Sequence, residues 1–522
     1  MASSISLAIP SSSSSPLTSG INTPAMDSTA PTSPATSSPA EPADHSPRGF
    51  GTRAIHVGSE PDKVTGAVIP PISLSTTFAQ SAPGVHSGFE YSRSDNPNRR
   101  ALEASLASIE EGGEEALAFS SGSAALATVV QSLQFFKKDA VHSPVHILAV
   151  NDVYGGTYRY LKRVGNEVQG LEVTFVDMET ADEESIRAGI RNDTKLILVE
   201  TPTNPTLKVV SIPLISRIAH THPVHPFVMV DNTFASPFYQ NPLMAGADLV
   251  LHSLTKYVNG HSDVVMGAVI HPSPTSSHLA RSTVTGLERP VAHPSPDSLA
   301  HFYSTLRFMQ NALGAVPSAY DSWLAQRGLK TLHLRMKTHG ANALAVARDV
   351  QAWTSASKAE VKVGYAGLPA VAGDAVQARR HRVAWEQLSR PARQFVEDEV
   401  RPLQELAALK AGNTVAPASP ETPPAGGFPY TGMLTVTLPT YNHALTFLTS
   451  LELFTLAESL GGVESLAEHP ASMTHAGIPA EERRKSGVED GLVRLSVGVE
   501  DQGDLVRDVR AALEKSFKVN GL

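Results

Sequence analysis

The apolar positions of this 522-residue chain fall into short unbroken runs separated by stretches of helical period. His146–Val150, Val173–Val176, Lys195–Val199, Phe227–Val230, Asp248–Leu251 and Val264–Ile270 each read as a strand buried on both faces. Ahead of them, residues 101–110 carry Leu102, Leu106 and Ile109 in helical register, and a second helix opens at Ser120–Ala125. Strands alternating with helices predict an α/β fold with a largely parallel sheet. From residue 301 to 350 the pattern is helical, including Leu332–Val350. A smaller α+β unit follows. It has strands at Gly432–Leu438 and Val493–Val497, and helices at Tyr441–Ser450 and Asp501–Glu514.

Three polar tracts interrupt this pattern. Residues 1–47 are rich in Ser, Thr, Pro and Ala, with no Lys or Arg before Arg48, and read as a disordered tail. Residues 271–300, with His-Pro-Ser-Pro twice, read as a low-complexity surface loop. Residues 370–427 read as an insertion that lies on the surface. Within it Val396, Val400, Leu403 and Leu406 share a helical spacing, and the basic run Arg379–Arg382 reads as a solvated helix face. The resulting organisation is a tail (1–47), an irregular arm (48–105), a large domain (106–332) and a small C-terminal domain (333–522).

Charge and composition narrow the picture. A net charge of −9 without an extended basic run argues against nucleic acid as partner. The chain has no cysteine, which excludes disulfides, thiolate metal sites and a thiol nucleophile. No metal site is expected, since the His-Pro tracts lack a regular ligand spacing. No apolar run reaches membrane-spanning length. The first residues show neither a basic start with an apolar run nor a row of arginines, so the expected location is the cytoplasm. Gly49–Ala54 matches G-x-G-x-x-A but follows a polar tract instead of a strand, which removes it as a dinucleotide site.

Candidate chemistry gathers at predicted strand ends. Tyr154, Asn204, Asp231, Ser253 and Lys256 all fall just past strand C-termini, where ligands bind in parallel sheets. Lys256 directly follows Thr255, has Ser253 three residues before it, and lies 25 residues beyond Asp231. This set suits pyridoxal 5'-phosphate (PLP), which needs an amine for its aldehyde, an anion for its ring nitrogen and donors for its phosphate. Ser120–Ala125 offers small residues at a helix start, where free N–H groups can approach an anion. Tyr91 and Arg93 alternate about Ser92, so an extended arm points both to one side. An arm with so little regular structure needs another surface, and a second subunit is the expected one.

The chain resembles the Cys/Met-metabolism group of PLP enzymes. The likeness rests on Ile69–Phe78, Gly88–Ser94, Asp152–Thr157, Glu200–Pro205, Thr255–Gly267, Ala457–Gly462 and Arg494–Gly498, over roughly residues 50–270, 303–369 and 428–514. It implies the aspartate-aminotransferase-like fold (fold type I) and a homotetramer of two active dimers. It also implies that Lys256 holds the cofactor and shuttles protons, that Asp231 pairs with the ring nitrogen, and that Tyr154 stacks on the ring. Ser253, Thr255 and the N–H groups of Gly122 and Ser123 would hold the phosphate, with Tyr91 and Arg93 reaching in from the neighbour. Arg494, Asn204 and Ser459 would clamp the α-carboxylate of an amino-acid substrate. Glu458, Arg159 and Glu90 would meet its far end. The implied reaction is α,γ-elimination of L-cystathionine to cysteine, 2-oxobutanoate and ammonia. Alternatives are γ-replacement on an activated homoserine ester, γ-cleavage of methionine, β-cleavage, or a PLP-binding assembly protein without turnover. Gly156 stands where enzymes of methionine γ-cleavage carry a cysteine, and Glu458 resembles the γ-acting branch.

Overall fold

In the computed structural model, which describes residues 48–136, 144–275, 294–412, 419 and 421–521, the apolar runs form a seven-stranded sheet. Its strands are β1 (Glu115–Phe119), β2 (Val145–Val150), β3 (Leu171–Val176), β4 (Thr194–Glu200), β5 (Phe227–Asp231), β6 (Leu249–Ser253) and β7 (Gly267–His271). They lie in the order β1-β7-β6-β5-β4-β2-β3. Strands β2 to β6 pair in parallel, and β7 runs antiparallel between β6 and β1. Every residue of β2 is buried, as a strand covered on both faces requires. Because β4, β5 and β6 are parallel neighbours, Glu200, Asp231 and Ser253 end side by side on one edge.

The helices that pack on this sheet include α1 (Pro97–Ile109), α2 (Gly122–Ser132) and α3 (Pro296–Leu313). Asn96 caps α1 by accepting from the N–H groups of Asn98 and Arg99, with Pro97 at the first helical position. Ser121 caps α2 by accepting from the Ala124 N–H at 3.0 Å. The 26-residue α4 (Leu332–Ser357) leads to a second, five-stranded sheet. That sheet comprises β8 (Lys362–Gly364), β9 (Met433–Thr437), β10 (Thr455–Leu456), β11 (Leu466–Glu468) and β12 (Leu492–Ser496), in the order β8-β9-β12-β11-β10. The last helix is Gln502–Asn520. The sequence pattern missed β1, β8 and β11. The first is rich in alanine and the other two have three residues each, too few to show a period. The tail 1–47 and residues 276–293 of the expected loop lie outside the described residues.

The segment 370–427 departs from expectation. Its helices α5 (Ala375–Glu386), α6 (Arg390–Phe395) and α7 (Arg401–Lys410) do not form a detached surface element. Val383, Ala384, Trp385, Leu388, Ala392, Phe395 and Val396 belong to the main apolar core. Gln387 accepts from the Ile212 N–H at 2.6 Å and donates to the Val210 carbonyl at 3.1 Å. Gln377 donates to the carbonyls of Tyr365 and Leu368, both at 2.7 Å. In the basic run Arg382 is solvated as expected, whereas Arg379 and Arg380 are not. Arg380 grips the buried Glu179 with two bonds of 2.7 and 2.8 Å, and Arg379 donates to the Val209 carbonyl. The apolar spacing from Val396 to Leu406 fails for a local reason. Residues 396–400 form a π-turn, and the extra residue rotates everything after it. Val396 is therefore buried while Leu403 and Leu406 face solvent.

Trp385 carries much of this packing. It is buried, donates from Nε1 to the Glu421 carbonyl at 2.9 Å, and lies under the Arg393 guanidinium at 3.6 Å. Replacing Trp385 with Ala is expected to lower unfolding stability by about 3 kcal/mol or more, read as a shifted urea midpoint of the holoenzyme. An unchanged midpoint would return the segment to the surface role.

Candidate active site

Strand β6 ends at Ser253, and the following turn places Thr255 and Lys256 over the carboxyl edge of the sheet. The Lys256 N–H donates to the Ser253 carbonyl, while Thr255 Oγ1 accepts from the Met266 N–H at 3.0 Å. Lys256 Nζ donates to Ser459 Oγ at 2.8 Å. Burial lowers the Lys256 ammonium to about 8, and the Arg494 guanidinium acts in the same direction. An amine so tuned is partly neutral near that pH and able to act as nucleophile or base.

A cavity of about 330 Å³ opens above these residues, a size suited to a small ligand. Its lining includes Gly122, Ser123, Tyr154, Asn204, Asp231, Ser253, Thr255, Lys256, Glu458, Ser459 and Arg494. All of these were singled out in the sequence. Among the described residues Lys256 is the only lysine in the lining. At one end the start of α2 abuts the end of β6. A Cβ on Gly122 would lie 3.1 Å from the Ser253 Cβ, so only a glycine lets the helix approach this closely without displacement. The free N–H groups of that helix turn and the hydroxyls of Ser253 and Thr255 form a donor set for a phosphate. Asp231 lies at the end of β5. Burial pushes its carboxyl above the usual range, against hydrogen bonds from Thr233. A cation at this carboxylate would offset the burial. One amine, one buried anion and one phosphate cradle in a single cavity fit PLP.

Arg494, on β12, forms the opposite wall. Its Nη1 donates to Asn204 Oδ1 at 2.7 Å and its Nη2 to the Ser459 carbonyl at 2.9 Å. Glu468, its cross-strand neighbour on β11, brings a carboxylate oxygen within 2.8 Å of Nη2, without hydrogen-bond alignment. The buried Nε of Arg494 has no hydrogen-bond partner among the described residues. Ser459, which serves both Lys256 and Arg494, adopts φ 99°, a strained conformation for a residue with a side chain.

Four expected residues are not in this lining. Arg93 donates to the carbonyl and side chain of Asn311 at 3.0 and 3.1 Å, and Tyr91 is half-exposed beside it. Glu90 pairs with His86 at 3.3 Å. Arg159 donates to the Thr474 carbonyl at 3.4 Å, next to the cavity. Thr157, Glu200, Thr233 and Thr474 line the cavity and escaped notice, as did Glu468 behind Arg494. Glu200 closes a strand beside Asp231, a position that could have marked it. A Cβ on Gly156 would lie 2.4 Å from the Tyr154 ring, so any side chain there moves the ring.

The sheet and the cavity define a PLP enzyme of the aspartate-aminotransferase-like α/β fold. The chain belongs to the Cys/Met metabolism PLP-dependent enzyme family, whose model matches residues 51–404 and 427–514. Residues 405–426 fall between the two matched segments. The chain is 41% identical to the cystathionine gamma-lyase of Homo sapiens over 476 residues, 90% of this chain and 95% of that one. It is also 41% identical to the cystathionine gamma-lyase of Saccharomyces cerevisiae over 472 residues, 90% and 98% of the two chains. Among solved structures, yeast cystathionine gamma-lyase superposes with a TM-score of 0.69 at 39% identity, covering 90% of this chain and 98% of that one. The metB protein of Corynebacterium glutamicum gives 0.68 at 36% identity, covering 90% and 98%. No helix among the described residues is long and apolar enough to cross a membrane.

Proposed function

We propose that the protein cleaves L-cystathionine by α,γ-elimination, consuming water and releasing L-cysteine, 2-oxobutanoate and ammonia. The observation that carries this reading is one cavity lined by both the buried Lys256 and Arg494. Likeness to cystathionine gamma-lyases over 90% of the chain supports the choice of substrate. Bound PLP supplies an electron sink for negative charge developing on the substrate carbons.

The chain's own residues do the rest. Lys256 Nζ, held by Ser459 Oγ, removes the proton from the substrate Cα and carries protons in the later steps. Asp231 would pair with the protonated ring nitrogen, an ion pair worth roughly 4 kcal/mol where the effective dielectric is near 20. Tyr154 covers the ring face. Ser253, Thr255, Gly122 and Ser123 hold the phosphate, joined by Tyr91 and Arg93 of a neighbouring subunit. Arg494, steadied by Asn204 and Ser459, binds the α-carboxylate. Glu458, Arg159 and Glu90 receive the far end of the substrate. The same reading makes the protein a homotetramer of two active dimers, working in the cytoplasm. Exposed Val68, Ile69 and Leu74 on the arm support such an assembly.

The test is an assay of the purified enzyme on L-cystathionine, L-methionine, and an O-acylhomoserine with a thiol. The expected result is 2-oxobutanoate and cysteine from cystathionine at the highest kcat/KM of the three. Preference for the ester with thiol would replace elimination by γ-replacement. Low activity on methionine is expected because Gly156 offers no side chain beside Tyr154.

A further inference from the structure

The strand-end carboxylate of Glu200 has no part in the chemistry above, yet it is buried in the cavity wall. It sits opposite Asp231 across the β4–β5 register. Its two oxygens serve two different loops. Oε2 accepts from the Tyr154 N–H at 2.9 Å, and Oε1 accepts from the Asn204 N–H at 2.8 Å. Tyr154 begins the helical turn Gly155–Arg159 and has no side-chain cap of its own. Asn204 in turn holds Arg494 Nη1.

We infer that Glu200 is a positioning residue that fixes the Tyr154 ring and the Asn204–Arg494 clamp together through two main-chain hydrogen bonds. The inference rests on the cofactor and substrate roles given above to Tyr154 and Asn204. Only a side chain with two acceptors at carboxylate spacing can serve both N–H groups. Glutamine retains the volume but turns an N–H donor toward one of them, and alanine leaves both donors, that of Asn204 buried and that of Tyr154 partly so, without this acceptor. Burial, the facing Asp231 anion and nearby Asp152 also raise the Glu200 carboxyl well above its usual range, so this side chain is held in place against electrostatic opposition.

The experiment compares Glu200→Gln and Glu200→Ala holoenzymes with wild type. For Glu200→Ala, KM for L-cystathionine is expected to rise about tenfold, the effect of one lost charge-assisted hydrogen bond at the clamp. The kcat should fall less. The visible circular-dichroism band of bound cofactor should weaken in the same variant, and PLP titrated into the apoprotein should bind more weakly. Glu200→Gln should lie between alanine and wild type on all three readouts. If Glu200→Ala does not fold, the glutamine variant alone decides, since it preserves volume. Wild-type KM, dichroism and PLP affinity in the folded variant would overturn the inference, including the case where only the melting temperature drops. A wild-type enzyme inactive on cystathionine would overturn the substrate reading instead. Dichroism and PLP affinity would still report on Glu200.

Discussion

Lys256→Ala is expected to abolish turnover, with kcat falling by more than about 10⁴-fold. One side chain is assigned both the covalent hold on the cofactor and the proton transfers, and proton transfer alone contributes about 10²–10⁴. No other lysine among the described residues lines the cavity. Lys208 is also buried, but it is engaged by Asp177 at 2.8 Å and Asn151 at 3.2 Å. Borohydride reduction of the wild-type holoenzyme, followed by peptide mass spectrometry, should place the phosphopyridoxyl group on Lys256. A label on Lys208 or any other lysine would end the assignment. Burial lowers the Lys256 ammonium to about 8, so uptake of PLP by the apoprotein, which needs the neutral amine, should quicken as pH rises toward that value.

The second large effect concerns subunits. Arg93 and Tyr91 do not line the cavity of their own chain, and Arg93 is bound to Asn311 instead. If both side chains complete a neighbour's site, two dead variants should rescue each other. Lys256→Ala and Arg93→Ala, co-expressed or co-refolded, form mixed dimers with one doubly defective site and one intact site. Random pairing makes half of the dimers mixed, so about a quarter of wild-type activity should return. Action within one chain leaves a defect in every site, and the mixture stays inactive. Arg93→Ala must first be shown to be nearly inactive at the PLP concentration used, because excess cofactor can mask a lost phosphate contact.

The most local features were legible in the sequence. The β2 run His146–Val150 and the β5 run Phe227–Val230 are strands within a residue of their expected bounds. A strand's period and its direction are set by neighbouring residues, and parallel strands all present their carboxyl ends on one side. Asp231, Ser253 and Lys256 could therefore be assigned to one edge before any pairing was known. Their residue types then pointed to an aldehyde, a ring nitrogen and a phosphate.

Contacts between distant segments were decided only in three dimensions. Arg494 meets Asn204 across 290 residues of chain, and Lys256 meets Ser459 across 203. The family likeness named these residues, but nothing local in the chain says that Arg494 leaves its Nε free or stands beside Glu468. The segment around Trp385 looked like a surface addition because Pro391, Pro402 and a basic run dominate its composition. Packing overruled that reading, since Glu179, Val209, Val210 and Ile212 supply partners that composition cannot show. The π-turn at 396–400 rotated an apolar stripe that a uniform helical period had placed on one face. Glu200 was quoted within a motif and overlooked, because its two partners lie 46 residues before it and four after it. Period and chain direction belong to the local chain, whereas the partner of a buried polar group is chosen by whatever the folded layers bring opposite it.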